Sequence, residues 1–159
     1  MKRMWSRNEL RKIIQETYGI DIDNLVDKNG HDRFPEGNVI LSEGASGITL
    51  KYGRWSLSGT HLMIVAFAEY SNGAEFTDYQ TLFECSNLPQ WILDKIVPYK
   101  DVYVDSANAI ITNDDWSRTT FSVSLTKRTN KIIIEKSADA TLTKDGICRM
   151  SFDLLIDNA

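Results

Sequence analysis

Ile48-Thr49-Leu50-Lys51-Tyr52-Gly53-Arg54-Trp55-Ser56-Leu57-Ser58-Gly59 is the stretch whose reading decides the fold. Ile48, Leu50 and Tyr52 alternate with Thr49 and Lys51; after Gly53, Trp55 and Leu57 alternate with Ser56 and Ser58. A period of two places the apolar set on one face of a pleated strand, so the spacing predicts two half-buried strands punctuated by Gly53 and closed by Gly59. Just beyond, Leu62-Met63-Ile64-Val65-Ala66-Phe67-Ala68 is a continuous apolar run, the pattern of a strand covered on both faces. Ser71-Asn72-Gly73 is a turn leading to Phe76, Tyr79 and Leu82.

The same alternation recurs toward the C-terminus. Phe121, Val123 and Leu125 alternate with Ser122 and Ser124, Ile132-Ile133-Ile134 is an apolar run between polar flanks, and Met150, Phe152, Leu154 and Ile156 alternate with Ser151, Asp153 and Leu155. About eight strands joined by short turns make a mainly β fold, a β-sandwich of jelly-roll-like kind. Within it, Leu88, Trp91, Ile92 and Ile96 fall at near-helical spacing between Pro89 and Pro98. Because proline is tolerated in a first helical turn, this segment is either a short plug helix across one end of the sandwich or a proline-bounded edge.

Ahead of the β-region the period changes. Ser6 and Glu9 form a capping box, Trp5 and Leu10 stand at hydrophobic-staple spacing, and Gly19 supplies a stop. Leu10, Ile13, Ile14, Thr17 and Tyr18 then make one apolar stripe, with Arg7, Arg11, Lys12 and Gln15 elsewhere. A helix of about four turns is marginal alone in water, so the stripe must land on something. It either packs on the β-domain as a lid or forms a seam with copies of itself or with another protein. Glu9 and Glu16 among the cations argue against a membrane-surface helix. Three parts follow: a docking or oligomerisation helix over residues 1–19, a linker over 20–37 and a β-sandwich head over 38–159.

The linker is rich in Asp, Asn and Gly. Asp21, Asp23, Asp27, Asn29 and Asp32 lack the order of an EF-hand loop, so no metal is expected there. No cofactor is expected either. With 159 residues the chain is long enough for a self-sufficient core. A formal charge of -4 and a pI near 5.2 disfavour a nucleic-acid partner. No apolar run approaches the ~18 residues of a membrane-spanning helix, so no membrane partner is expected. Met1-Lys2-Arg3-Met4 precedes a polar amphipathic helix where a signal peptide would carry an apolar region, so synthesis in the cytoplasm without Sec export is expected. Cys85 and Cys148 lie in apolar surroundings and are either buried free thiols or a single bridge.

Catalytic signals are sparse. His31 lies in the linker and His61 precedes an apolar strand, with no nucleophile or acidic neighbour at motif spacing. Gly44-Ala45-Ser46-Gly47 precedes a strand where a phosphate-cradling loop would need a helix, so it is a turn. Asp114-Asp115 beside Trp116 is a turn with an aromatic at its edge. A non-enzymatic protein is the expectation.

Met4-Trp5-Ser6-Arg7-Asn8-Glu9-Leu10 with Ile13-Ile14 resembles the N-terminal signature of small tailed-phage virion appendages, the head-fibre, tail-fibre and baseplate proteins. Gly53-Arg54-Trp55-Ser56-Leu57-Ser58-Gly59, Leu88-Pro89-Gln90-Trp91-Ile92, Ile132-Ile133-Ile134 and the closing Arg149-Met150-Ser151-Phe152-Asp153-Leu154-Leu155-Ile156 resemble elements of their head domains. The resemblance implies a homotrimer in the virion, made in the host cytoplasm, in contact with other virion proteins and with a host cell-surface glycan or protein. For docking or oligomerisation the helix offers Trp5, Leu10, Ile13, Ile14 and Tyr18, and for receptor contact the sequence offers the loop aromatics Trp116, Tyr99 and Tyr70. No extended shaft separates helix and head, which favours a compact capsid or baseplate decoration. A monomeric carbohydrate-binding, lectin-like module and a glycan hydrolase are the alternatives.

Overall fold

In the computed structural model, which describes residues 6–19, 35–77, 79–100, 102–128, 131–136 and 140–156, the alternating stretches become strands of one antiparallel sheet. In chain order these are β1 (Glu36–Gly37), β2 (Val39–Leu41), β3 (Ile48–Ser58), β4 (His61–Tyr70), β5 (Glu75–Phe76), β6 (Thr81–Cys85), β7 (Tyr103–Asn113), β8 (Arg118–Arg128), β9 (Lys131–Lys136), β10 (Ala140–Thr141) and β11 (Gly146–Leu155). Helix α1 spans Arg7–Tyr18 and α2 spans Gln90–Lys95. Nine strands run in the order β1-β3-β4-β11-β7-β8-β9-β6-β2, while β5 and β10 form a separate ribbon. The fold is mainly β with one helix ahead of it, as the periodicities predict.

The sheet curls until its edges meet, giving a nearly closed sandwich or barrel. One short stretch makes the seam: Glu36 and Gly37 pair with Ser56 and Trp55 at one edge, and Val39, Ile40 and Leu41 pair with Cys85, Glu84 and Phe83 at the other. The Trp55 indole N–H donates to the Ser86 carbonyl at 2.8 Å, and the Ser86 N–H donates to the Asn38 carbonyl at 2.8 Å. The β-domain therefore begins by Pro35, whose carbonyl accepts from the Leu57 N–H at 2.9 Å, and not after residue 37. Backbone pairing claims residues that composition assigns to the linker. The acidic run at Asp21, Asp23, Asp27, Asn29 and Asp32 lies outside the described residues, as does His31.

Gly53 does not punctuate two strands; it lies inside β3. A Cβ there would stand 2.9 Å from the Val39 carbonyl carbon, so the glycine marks a close approach of β2 to β3. The alternation on either side is reconciled by a bulge. Leu50 faces Ala68 but Tyr52 faces Phe67, leaving Lys51 as the extra residue. Tyr52 is thereby turned off the core face expected for it and is half exposed. The run Leu62 to Ala68 is fully covered on one face and only partly on the other. Leu62, Ile64, Ala66 and Ala68 are buried, whereas on the other face Val65 is buried, Phe67 is partly exposed and Met63 is 46% exposed.

Core side chains come from the inner faces around the sheet: Phe121, Val123 and Leu125 of β8, Ile132 and Ile134 of β9, and Cys148, Met150, Phe152 and Leu154 of β11. Each large apolar side chain contributes roughly 1.5–3 kcal/mol by leaving water. The segment between Pro89 and Pro98 takes its helical alternative. Leu88, Ile92, Leu93 and Ile96 are buried, and α2 plugs one end of the sheet. The Lys127 ammonium donates to the Leu93 and Ile96 carbonyls at 2.6 and 2.9 Å, placing a cation at the negative end of α2. Both cysteines are free and buried. Burial pushes the Cys85 thiol up to about 12, with the Glu84 carboxylate adding to it, and pushes Cys148 up to about 11.

Candidate functional site

Helix α1 is closed at both ends by its own residues. The Glu9 N–H donates to the Ser6 hydroxyl at 3.2 Å and the Ser6 N–H donates to the Glu9 carboxylate at 2.8 Å. Gly19 adopts a φ of 65° and its N–H donates to the Gln15 carbonyl at 3.0 Å. Its apolar stripe, however, is not buried. Leu10 is 44%, Ile13 37% and Tyr18 70% exposed, and Ile14 is half-buried. The lid arrangement over the β-domain is therefore not realised among the described residues, and Trp5 lies outside them.

The β-domain has two dissimilar ends. The chain enters at Pro35, beside the Ser58 and His61 hairpin. At the other end of the eleven-residue β3, about 35 Å away at ~3.3 Å per residue, the turns gather. There the Ser71 N–H donates to the Gly47 carbonyl at 2.9 Å, that of Gly73 to Leu142 at 2.7 Å, and that of Asp114 to Asp145 at 3.1 Å.

Trp116 stands at this turn-rich end. It is 85% exposed and holds a φ of 65°, a left-handed conformation uncommon for a bulky residue. The turn that carries it is braced from outside: the Lys144 ammonium donates to the Asp115 carboxylate and, at 3.2 Å, to the Ser117 hydroxyl. The Lys144 hydrogen bond, followed by those from the Ser117 hydroxyl and N–H, lowers the Asp115 carboxyl to about 2. At the same end of the β-domain lies an open groove of about 700 Å³ lined by Ser46, Ser71, Asn72, Glu75, Thr77 and Gln80. Gly47 forms part of its floor, where an added Cβ would stand 2.5 Å from the Ala74 Cβ.

The three aromatics singled out for receptor contact do not come together. Tyr99 is exposed in the segment after α2, its ring 5.5 Å from the Lys100 ammonium. Tyr70 is a core residue, 1% exposed, with edge contacts to Phe76 and Phe121 at centroid distances of 6.0 and 6.3 Å. It is the last residue of β4 on the inward register, which removes it from any surface role. Sequence reasoning missed the groove residues, whose only signal was turn chemistry around Gly47 and Gly73.

A second surface lies on the outer sheet face. Tyr52, Phe67 and Arg149 stand in one row across β3, β4 and β11, with Ile147, 44% exposed, near them on β11. The His61 ring and Asp153 carboxylate sit 3.1 Å apart on the same face, both exposed. Among the described residues, no three His, Cys, Asp or Glu side chains gather as a metal site, and no helix is long and apolar enough to cross a membrane.

No protein-family model matches the sequence, and no curated protein matches it. Among solved structures the fold is similar to the bovine atadenovirus type 4 fibre head, with 15% identity and a TM-score of 0.41 over 77% of this chain and 98% of that one. It is also similar to the Ad16 fiber knob (8% identity, TM-score 0.40, covering 79% and 94%). A reovirus attachment protein, sigma1, solved with α-2,3-sialyllactose, is similar at 10% identity and a TM-score of 0.36, covering 82% and 74%.

Proposed function

We propose that the chain is a non-enzymatic structural protein of a tailed-phage virion, a head-fibre, tail or baseplate decoration, that assembles as a homotrimer and presents its β-domain to a host receptor. The observation that carries this reading is α1. It is capped at both ends, so its boundaries are set locally, yet Leu10, Ile13 and Tyr18 stay partly exposed. A helix so short has little stability of its own, and an uncovered apolar stripe on it is an assembly surface. The stripe serves as a threefold seam or as an anchor on another virion protein.

The polarity of the β-domain supports the same arrangement. The chain enters at Pro35, so the turn-rich end with Trp116 points away from the entry side. Repetition around a symmetry axis would make weak contacts at that end avid. The outer-face row of Tyr52, Phe67 and Arg149 supplies a further surface for contact between copies.

Light scattering of the full chain on a sizing column tests the proposal. A mass near three times 18.1 kDa is expected, falling or becoming concentration-dependent in Leu10→Glu/Ile13→Glu. A monomer for the unaltered chain that also fails to bind virion proteins would overturn it.

A further inference from the structure

We infer that the apolar stripe of α1 packs on the entry end of the β-domain of a neighbouring copy, against the exposed face built by Val97, Tyr99, Val102 and Tyr103. This names the partner surface of α1 and rests on the assembly reading above.

The receiving face is apolar, exposed and held in shape. Val97 is 83% and Tyr99 68% exposed, and Val102 and Tyr103 are exposed with them. Single surface hydrophobics are ordinary, but a run of them on one short segment is an interaction surface. Its backbone is fixed. The Tyr99 N–H donates to the Tyr103 carbonyl at 2.6 Å and the Tyr103 N–H to the Tyr99 carbonyl at 3.0 Å, closing a turn in which Lys100 holds a φ of 48°. The Lys127 N–H donates to the Val102 carbonyl at 2.8 Å, while its ammonium holds the Ile96 carbonyl just ahead of Val97. A face already ordered has little freedom left to lose on docking.

Chain connectivity brings α1 to this end. The chain enters at Pro35, and the Asn38 carbonyl soon after it accepts from the Ser86 N–H at 2.8 Å, shortly before α2 begins at Gln90. Residues 20–34, which join Gly19 to Pro35, span up to about 50 Å at ~3.3 Å per residue. The stripe could therefore reach the face within one chain, yet the single chain leaves both surfaces uncovered. Contact between copies covers both. Two different surfaces that meet make a heterologous contact, and threefold rotation closes it into a ring. A seam of α1 against α1 would leave Val97 and Tyr99 uncovered.

Charge favours the same pairing. Glu9 and Glu16 stand two turns apart along the Ile13 edge of the stripe. The receiving segment is flanked by Lys95 and Lys100, whose ammonium groups lie 5.5 Å from the Trp91 and Tyr99 ring centroids. Glu16 is 3.8 Å from Lys12, an exposed pair weak enough to exchange partners. Opposite charges at a rim add little affinity but fix which way the helix lies. Tyr99 thereby belongs to the contact between copies and not to a receptor surface.

The test is crosslinking of the full chain by a short bismaleimide, read on denaturing gels. Ile13→Cys/Val97→Cys puts one thiol on each surface, and the native Cys85 and Cys148 are buried. Covalent dimers and trimers are expected roughly tenfold above those of Ile13→Cys alone, of Val97→Cys alone, or of Ile13→Cys/Trp116→Cys, because only the first variant holds its thiols at a raised effective concentration. Val97→Glu/Tyr99→Glu, which alters exposed side chains only, should lower the solution mass as Leu10→Glu/Ile13→Glu does. A crosslink internal to one chain, crosslinking of Ile13→Cys to itself, or a trimer that neither crosslinks nor responds to Val97→Glu/Tyr99→Glu would overturn the inference and leave the assembly standing. A monomeric unaltered chain would remove both.

Discussion

Gly53 and Val39 meet backbone to backbone where the two edges of the sheet approach, and a Cβ on Gly53 would stand 2.9 Å from the Val39 carbonyl carbon. No flexible side chain is there to give way, so β2 would have to move off β3. Gly53→Ala is expected to destabilise the fold by about 2–3 kcal/mol, as overpacking against a backbone does. The urea midpoint would read it. An unchanged midpoint would mean that the seam is loose.

Tyr70 provides the opposite case. Its hydroxyl is buried with no hydrogen-bond partner among the described residues, while its ring packs on Phe76 and Phe121. Burial, with a smaller push from Cys148, holds its phenol above the usual tyrosine range. Removing an unpaired polar atom while keeping the ring relieves a desolvation cost, so Tyr70→Phe should stabilise the protein by roughly 1 kcal/mol. A thermal melt showing a clear loss would mean that the hydroxyl has a partner in solution.

How much of this was legible follows from what side-chain periodicity can encode. The inward sets Phe121, Val123, Leu125 and Met150, Phe152, Leu154 are buried as alternation predicts, because one face of each strand meets the core. The bulge at Lys51 was not legible, since an inserted residue breaks the period without changing composition, and Tyr52 was misplaced with it. Strand β7 was missed entirely: its buried residues Ala109 and Ile111 are set among Asp105, Ser106 and Asn108, which favour turns over strands. For the site, Trp116 could be singled out as an aromatic in a turn. The groove could not, because Ser46, Asn72 and Gln80 converge only through the pairing of distant strands.

The buried thiols set an alkaline limit. Folding raises Cys85 from 9.0 to about 12 and Cys148 from 9.0 to about 11. Above pH 9 the unfolded chain would release these protons while the folded chain keeps them, so stability is fully present below that pH and declines as pH rises toward 11 and 12. Two consequences are expected: native-state alkylation by iodoacetamide at pH 8 should be far slower than in urea, and the urea midpoint should fall between pH 9 and 11. In Cys85→Ala/Cys148→Ala that fall should be reduced. Rapid native alkylation at pH 8 would show that the thiols are accessible.

Asp115 sets the acid limit of the Trp116 turn. Its carboxyl lies at about 2 against an ordinary 3.8, held there first by the Lys144 ammonium and then by the Ser117 hydroxyl and N–H. A depressed carboxyl contributes its stabilisation fully above the unfolded value, and loses it as pH falls through the folded value. The brace should therefore persist from neutral pH to about 4 and fail only near pH 2, with the Trp116 indole NMR signal following it. Lys144→Ala should raise the midpoint of that transition toward 3.8, and Asp115→Asn should abolish it. Because Asp115 is exposed, added salt should raise the midpoint as well, by screening the Lys144 charge. A midpoint near 3.8 in the unaltered protein would mean that Lys144 does not hold Asp115 in solution and that the Trp116 turn is not braced.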